Sequence, residues 1–124
     1  MKKMAEEWLK AARDDLSVIE KIIMVSHLSH IAAFHAQQCI EKSLKAVIEE
    51  YGVAIPKIHN LVTLSGKIGD YVEVSFDKDL LQTLDSLYIE ARYPGELGLL
   101  PNGKPTAHDA KTFFEFAKNV LAHI

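Results

Sequence analysis

Four polar side chains lie on one face of the stretch 33–46: Gln38, Glu41, Lys42 and Lys45, at steps of three, one and three. Glu41 precedes Lys45 by four residues, the favourable order for an ion pair along a helix, contributing about 0.2–0.5 kcal/mol. This charged face reads in two ways. It is a solvated surface, or it is one wall of a polar cleft that meets Arg92 or a second copy of the chain. Gln37 and Gln38 add neutral donors and acceptors suited to base or ribose contacts, and equally usual on exposed helices. His59 stands just before a short apolar segment. Its imidazole either hydrogen-bonds a loop carbonyl or a carboxylate, or serves as a proton shuttle or phosphate contact. Arg92 falls at a helix C-terminus, where a cation is favoured, with Tyr93 and Pro94 next. It is a capping charge packed on Tyr93, or a fixed guanidinium whose planar fork suits phosphate.

Other reactive residue types are present without the pattern that chemistry requires. His27, His30 and His35 lie close in sequence, and His35 and Cys39 are four apart. A metal site needs ligands converging from several directions. No acidic pair completes such a set, so these histidines read as surface or interface groups and no metal is assigned. Cys39 reads as a small buried apolar residue. There is no Ser/His/Asp order, no P-loop and no Gly-rich dinucleotide turn. No general base and no cofactor are assigned.

The elements that position these side chains are helices. The stretch 33–46 holds no Gly or Pro, and Ala36, Ile40, Leu44 and Val47 give it an apolar face opposite the polar one. Residues 4–24 form a first helix with the stripe Trp8, Ala12, Leu16, Ile19 and Ile23, and with Ala5, Leu9 and Ile22 beside it. Residues 25–29 are the turn, with Ser26 or Ser29 as cap. The second helix runs to about Tyr51 and stops at Gly52. A loop fixed by Pro56 leads to Asn60, which caps a short helix from Leu61 to about Lys67, broken up by Gly66 and Gly69. Asp77 opens a fourth helix, with Leu80 or Leu81, Leu84, Leu87, Tyr88 and Ala91 as its core stripe. It ends near Arg92, because the residue before Pro94 is pushed out of helical dihedrals. Residues 93–105 are a Gly- and Pro-rich loop, made apolar by Leu97, Leu99 and Leu100. Thr106 and Asp109 resemble a capping box. They open a last helix striped by Ala110, Phe113, Phe114, Ala117, Val120 and Leu121. No segment alternates like a strand. The reading is an all-α, antiparallel up-and-down bundle of four long helices and one short one.

Composition sets the outer limits. The chain has 124 residues, enough for one domain over residues 1–124 with a single core. Apolar residues make up 48% and charged residues 25%, which excludes a disordered chain. The net charge of −3 gives no global nucleic-acid footprint and leaves room only for a local basic patch. One cysteine allows no internal disulfide. Charges at Lys10, Arg13, Asp14 and Asp15 interrupt any signal-like apolar run, and no uncharged run approaches a membrane span. A cytoplasmic protein without membrane association is expected.

Three groups of residues coincide in order and spacing. They are Trp8-Leu9-Lys10-Ala11-Ala12-Arg13-Asp14-Asp15-Leu16, then Phe34-His35-Ala36-Gln37-Gln38 with Glu41-Lys42-Ser43-Leu44-Lys45-Ala46, then the loop markers Pro56-Lys57-Ile58-His59-Asn60-Leu61 and Ala91-Arg92-Tyr93-Pro94. Together, over roughly residues 8–94, they resemble the prokaryotic HEPN domain family. The resemblance implies a helical bundle that dimerises and associates with nucleotides or RNA. It also implies pairing with a minimal nucleotidyltransferase in a toxin–antitoxin arrangement. Many HEPN toxins are metal-independent ribonucleases whose motif is an Arg, four to six residues, then a His. Counting from Arg92, the fitting positions hold Leu97, Gly98 and Leu99, and Tyr93 stands where those members carry a small polar residue. Ribonuclease activity is therefore not carried over.

The expected function is a binding module for a nucleotide or RNA end, using Arg92, His59, Lys42, Lys45, Gln38, Glu41 and Tyr93. The alternatives are a ribonuclease with a displaced histidine, His59 or His108, and a plain helical scaffold. Leu97, Leu99, Leu100 and the Phe-rich last helix predict a homodimer. His59 and Arg92 are expected in one polar cleft with Lys42 or Lys45.

Overall fold

The run without Gly or Pro becomes the central helix. The structure, a computed structural model, describes residues 1–92 and 104–124, with side chains through Ile89 and again from Lys104. The helices are α1 (Lys3–Ile22), α2 (Ser29–Glu50), α3 (Leu61–Ile68), α4 (Lys78–Arg92) and α5 (Ala107–Ala122), with one 3₁₀ turn at Ser26–Leu28. No strand occurs among the described residues. The fold is the expected all-α up-and-down bundle. α2 lies at its centre and packs on every other helix. The backbone N–H of Lys2 donates to the Glu50 carboxylate, so the start of α1 lies beside the end of α2.

Local chemistry sets most of the boundaries. α2 stops where Gly52 takes φ of +72°, a left-handed conformation that a side chain disfavours. Asn60 Oδ1 accepts from the Thr63 N–H at 2.8 Å and opens α3. Asp77 Oδ1 accepts from the N–H groups of Asp79 and Leu80 at the start of α4. Thr106 and Asp109 exchange reciprocal bonds of 2.9 and 3.0 Å, a complete capping box for α5.

Several expectations are corrected. α1 ends two residues early, at Ile22, and neither Ser26 nor Ser29 caps α2. The Ser29 hydroxyl instead donates to the Pro105 carbonyl, tying the start of α2 to the approach to α5. α3 runs through Gly66 to Ile68. A helical Gly costs about 1 kcal/mol against Ala, which the complete burial of Leu61, Leu64 and Ile68 outweighs. The buried face of α1 is Ala5, Leu9, Ala12, Asp15 and Ile19, with Trp8 and Leu16 only half-buried.

The core is one cluster built on Ile19, Ile40, Leu44, Ile48, Leu61, Leu64, Leu81, Leu84 and Val120. Alanines 12, 32, 33 and 36 are buried with them; short side chains at a helix contact let the axes approach closely. Phe113 and Phe116 of α5 are buried within this core, while Phe114 and Leu121 are only partly so. Phe113 and Phe116 therefore pack inside the chain, and Phe114 lies partly at the surface. Leu97, Leu99 and Leu100 lie outside the described residues. No helix among the described residues is long and apolar enough to cross a membrane.

Candidate functional site

The polar face of α2 divides between two neighbours. Toward α3, Glu41 collects three donors. Lys45 Nζ lies 3.0 Å from Glu41 Oε2, Gln37 Nε2 donates to Oε1 at 3.3 Å, and His59 Nδ1 stands 3.1 Å from Oε2. Gln37 Nε2 also reaches the His59 carbonyl at 3.0 Å, and Gln38 Nε2 donates to Gln37 Oε1 at 2.8 Å. An ionised carboxylate only accepts, so Nδ1 of His59 carries a proton and Nε2 is the nitrogen left for another partner. Glu41 and Lys45 are almost fully buried, with side chains 6% and 7% exposed, whereas His59 is 54% exposed. Lys45 Nζ also sits 5.7 Å from the centre of the Trp8 ring, close enough for a cation–π contribution.

His59 is placed by the start of α3. Two orphan N–H groups of that helix, Leu61 and Val62, donate to Asp85 of α4 at 2.8 and 3.4 Å. Asn60 takes a third. Burial raises the Asp85 pKa above its ordinary value, partly offset by the two backbone bonds and reinforced by the nearby charge of Glu41. The His59 ring rests on Tyr88 of α4, with centroids 5.5 Å apart.

Toward α1 stands a second cluster. Asp15 is buried; its Oδ1 meets His35 Nδ1 and its Oδ2 meets Lys42 Nζ, both at 2.8 Å. Neither polar cluster is a plain solvated face. The described structure brings together His59, Glu41, Lys45 and Gln38, and sends Lys42 to Asp15 instead. Arg92 ends α4, the helix whose Tyr88 carries the His59 ring; the Arg92 side chain and Tyr93 lie outside the described residues. His108 is exposed in the first turn of α5, and the described residues give it no bond to the cluster. His27, His30 and His35 form no metal-holding group among the described residues. His30 is held below its ordinary pKa, chiefly by burial and then by Lys104 and His27.

Cys39 is fully buried and its thiol is pushed up to about 12, first by burial and then by the Asp15 charge. The native thiol should resist iodoacetamide at pH 8 and react only after unfolding. Rapid labelling of the folded chain would contradict this placement.

Sequence reasoning passed over Asp15, Tyr88, Trp8 and Asp85 as supports of the site. Their only local signal was a carboxylate at position 15 one step off the apolar stripe.

The chain is 30% identical over 134 residues to "Putative toxin MJ1304" of Methanocaldococcus jannaschii, covering 96% of this chain and 84% of that one. Its fold matches the crystal structure of TT1696 from Thermus thermophilus with a TM-score of 0.76 and 28% identity, over 98% of this chain and 95% of the other. The HEPN domain model matches residues 5–124, so the bundle organised around α2 belongs to the HEPN domain family.

Proposed function

We propose that this chain is the HEPN module of a toxin-type pair and that it holds a nucleotide or an RNA end beside His59. The observation that carries the reading is the network in which His59 and Lys45 share the buried Glu41. That network keeps one imidazole nitrogen fixed and turns an exposed ring outward, next to the helix that ends in Arg92. The toxin designation of the M. jannaschii relative supports the biological setting. Further parts of the proposal are a homodimer and a minimal nucleotidyltransferase as partner. His59 and Arg92 would meet the phosphate, with Gln38 and Tyr93 beside it, while the buried Lys45 holds Glu41 beneath His59. Lys42, engaged by Asp15, serves elsewhere.

One observation favours a second reading. A carboxylate-held imidazole is also the arrangement that activates a general base, so His59 could act in cleavage. Against it, Leu97, Gly98 and Leu99 occupy the positions of the family's catalytic histidine. Without an imidazole at those positions, roughly 10²–10⁴-fold of acid–base assistance is lost.

The test is incubation with labelled single-stranded RNA, without metal, beside Arg92→Ala and His59→Ala. The parent should bind in a salt-sensitive way, because phosphate contacts release counterions, and should leave the RNA intact. Both variants should bind more weakly. Cutting by the parent that either variant abolishes would establish the nuclease instead, and no binding of nucleotide, RNA or a nucleotidyltransferase would leave a scaffold.

A further inference from the structure

Three contacts in series link the first helix to His59. Lys45 Nζ of α2 lies 5.7 Å from the ring centre of Trp8 on α1. The same ammonium is 3.0 Å from Glu41 Oε2, and that oxygen meets His59 Nδ1 at 3.1 Å. A Glu–Lys pair four residues apart on a wet helix surface is weak, because water screens both charges. This pair is almost fully buried. Part of its cover comes from outside α2, from the Trp8 ring.

Trp8 is the single tryptophan of the chain, half-buried beside the inward face of α1. Among the described residues it belongs neither to the hydrophobic core cluster nor to the partly buried side chains packed against that cluster. Its described ring contact is with an ammonium instead of with aliphatic carbon. An aromatic face attracts a cation through its quadrupole and offers no acceptor atom. It therefore holds the ammonium without drawing an N–H away from Glu41. A water in the same place would compete for that N–H. With water kept out, the attraction between Lys45 and Glu41 strengthens, and the carboxylate stays aimed at His59.

We propose that Trp8 is a positioning residue for His59: its ring keeps Lys45 on Glu41, and so holds the carboxylate that fixes the proton on Nδ1. Trp8 touches no ligand in this role. The hydrogen bond made by one ring nitrogen sets which nitrogen carries the proton. A neutral imidazole left free prefers the proton on Nε2, so a loosened Glu41 shifts the ring toward that form. The consequence for binding rests on nucleotide recognition at His59; the effect on the imidazole does not.

The experiment compares the full chain with Trp8→Phe, which keeps an aromatic face, and with Trp8→Leu and Trp8→Met, which keep apolar bulk without one. Thermal melts confirm that each is folded. Isotope-labelled histidine gives the place of the proton on His59 from its nitrogen shifts at alkaline pH, with the ring uncharged. Hydrogen exchange of the Lys45 ammonium with water reports whether that charge is covered. The parent and Trp8→Phe should carry the proton on Nδ1 and exchange slowly at Lys45. In the ringless variants exchange should quicken. The ratio of Nδ1–H to Nε2–H should fall by roughly two- to thirtyfold, the range of one cation–π contact. Affinity for a fluorescent mononucleotide should fall with it. A purely structural tryptophan would change the melting temperature and leave the ratio alone. That result in a folded ringless variant overturns the proposal, even if exchange at Lys45 quickens. So does a Trp8→Phe that behaves like Trp8→Leu. If the ratio shifts as expected but the parent binds no mononucleotide, or the ringless variants bind it equally well, the positioning role stands and the nucleotide reading of His59 fails. An unchanged ratio in variants of a parent that binds through His59 leaves that reading intact and removes Trp8 from it.

Discussion

Replacing Glu41 by Ala should destabilise the fold by about 3–5 kcal/mol, the usual consequence of removing one member of a buried ion pair. The reason is what remains. Lys45 is left without its carboxylate on a side chain only 7% exposed, and its nearest compensation becomes the Trp8 ring at 5.7 Å. Gln37 and His59 lose their acceptor as well. Adding Lys45→Met should recover much of the loss, since it removes the orphaned charge while keeping an unbranched side chain in the same space. Nucleotide binding should not return in the double variant, because His59 is no longer held. Chemical denaturation of the two variants checks this. A loss below about 1 kcal/mol for Glu41→Ala, the scale of an exposed pair, would show that the cluster is open to water.

Asp85→Ala should be the next most costly change in the polar network, at about 1–3 kcal/mol for a buried donor left without its acceptor. It strips the N–H groups of Leu61 and Val62 at the start of α3, and with them the frame that holds His59. Asp85→Asn separates charge from shape. Asn keeps an oxygen for the 2.8 Å bond from Leu61. The pKa of Asp85 is raised in the folded chain, so folding favours its protonated form. That advantage is complete below the ordinary value of 3.8 and is lost as pH rises through the raised one. Asn has no such dependence. The melting temperature of Asp85→Asn relative to the parent should therefore climb as pH increases from 3.8 through the raised value, then level off. A difference moving the other way would mean that the helix end and its two N–H groups outweigh burial.

These expectations show which parts of the molecule were legible in its sequence. Caps and stops were, because their chemistry is local: Gly52 at a left-handed turn, Asn60 and Thr63, Asp77, and the Thr106–Asp109 box. Burial periodicity was legible to within a residue or two, although Phe116 was missed on α5. The partners of the polar groups were not, because they come from distant segments. Lys42 and Lys45 differ by three residues, or about 60° around a helix axis. That rotation sends one to Asp15 on α1 and leaves the other with Glu41. Asp15 lies at helical spacing between Ala12 and Ile19, but its partners were hidden, since His35 and Lys42 reach it from 20 and 27 residues away. Likewise Asp85 bonds the start of α3 from 24 residues beyond it.

The central claim is that a nucleotide phosphate is held at the Glu41-anchored His59. The most direct test is the structure of the protein with a bound mononucleotide. The account predicts a phosphate oxygen within hydrogen-bond distance of His59 Nε2, with the Arg92 guanidinium on the same phosphate. A nucleotide seated elsewhere, such as the pocket between Ile48, Pro56, Lys67 and Tyr71, with His59 untouched, would contradict it.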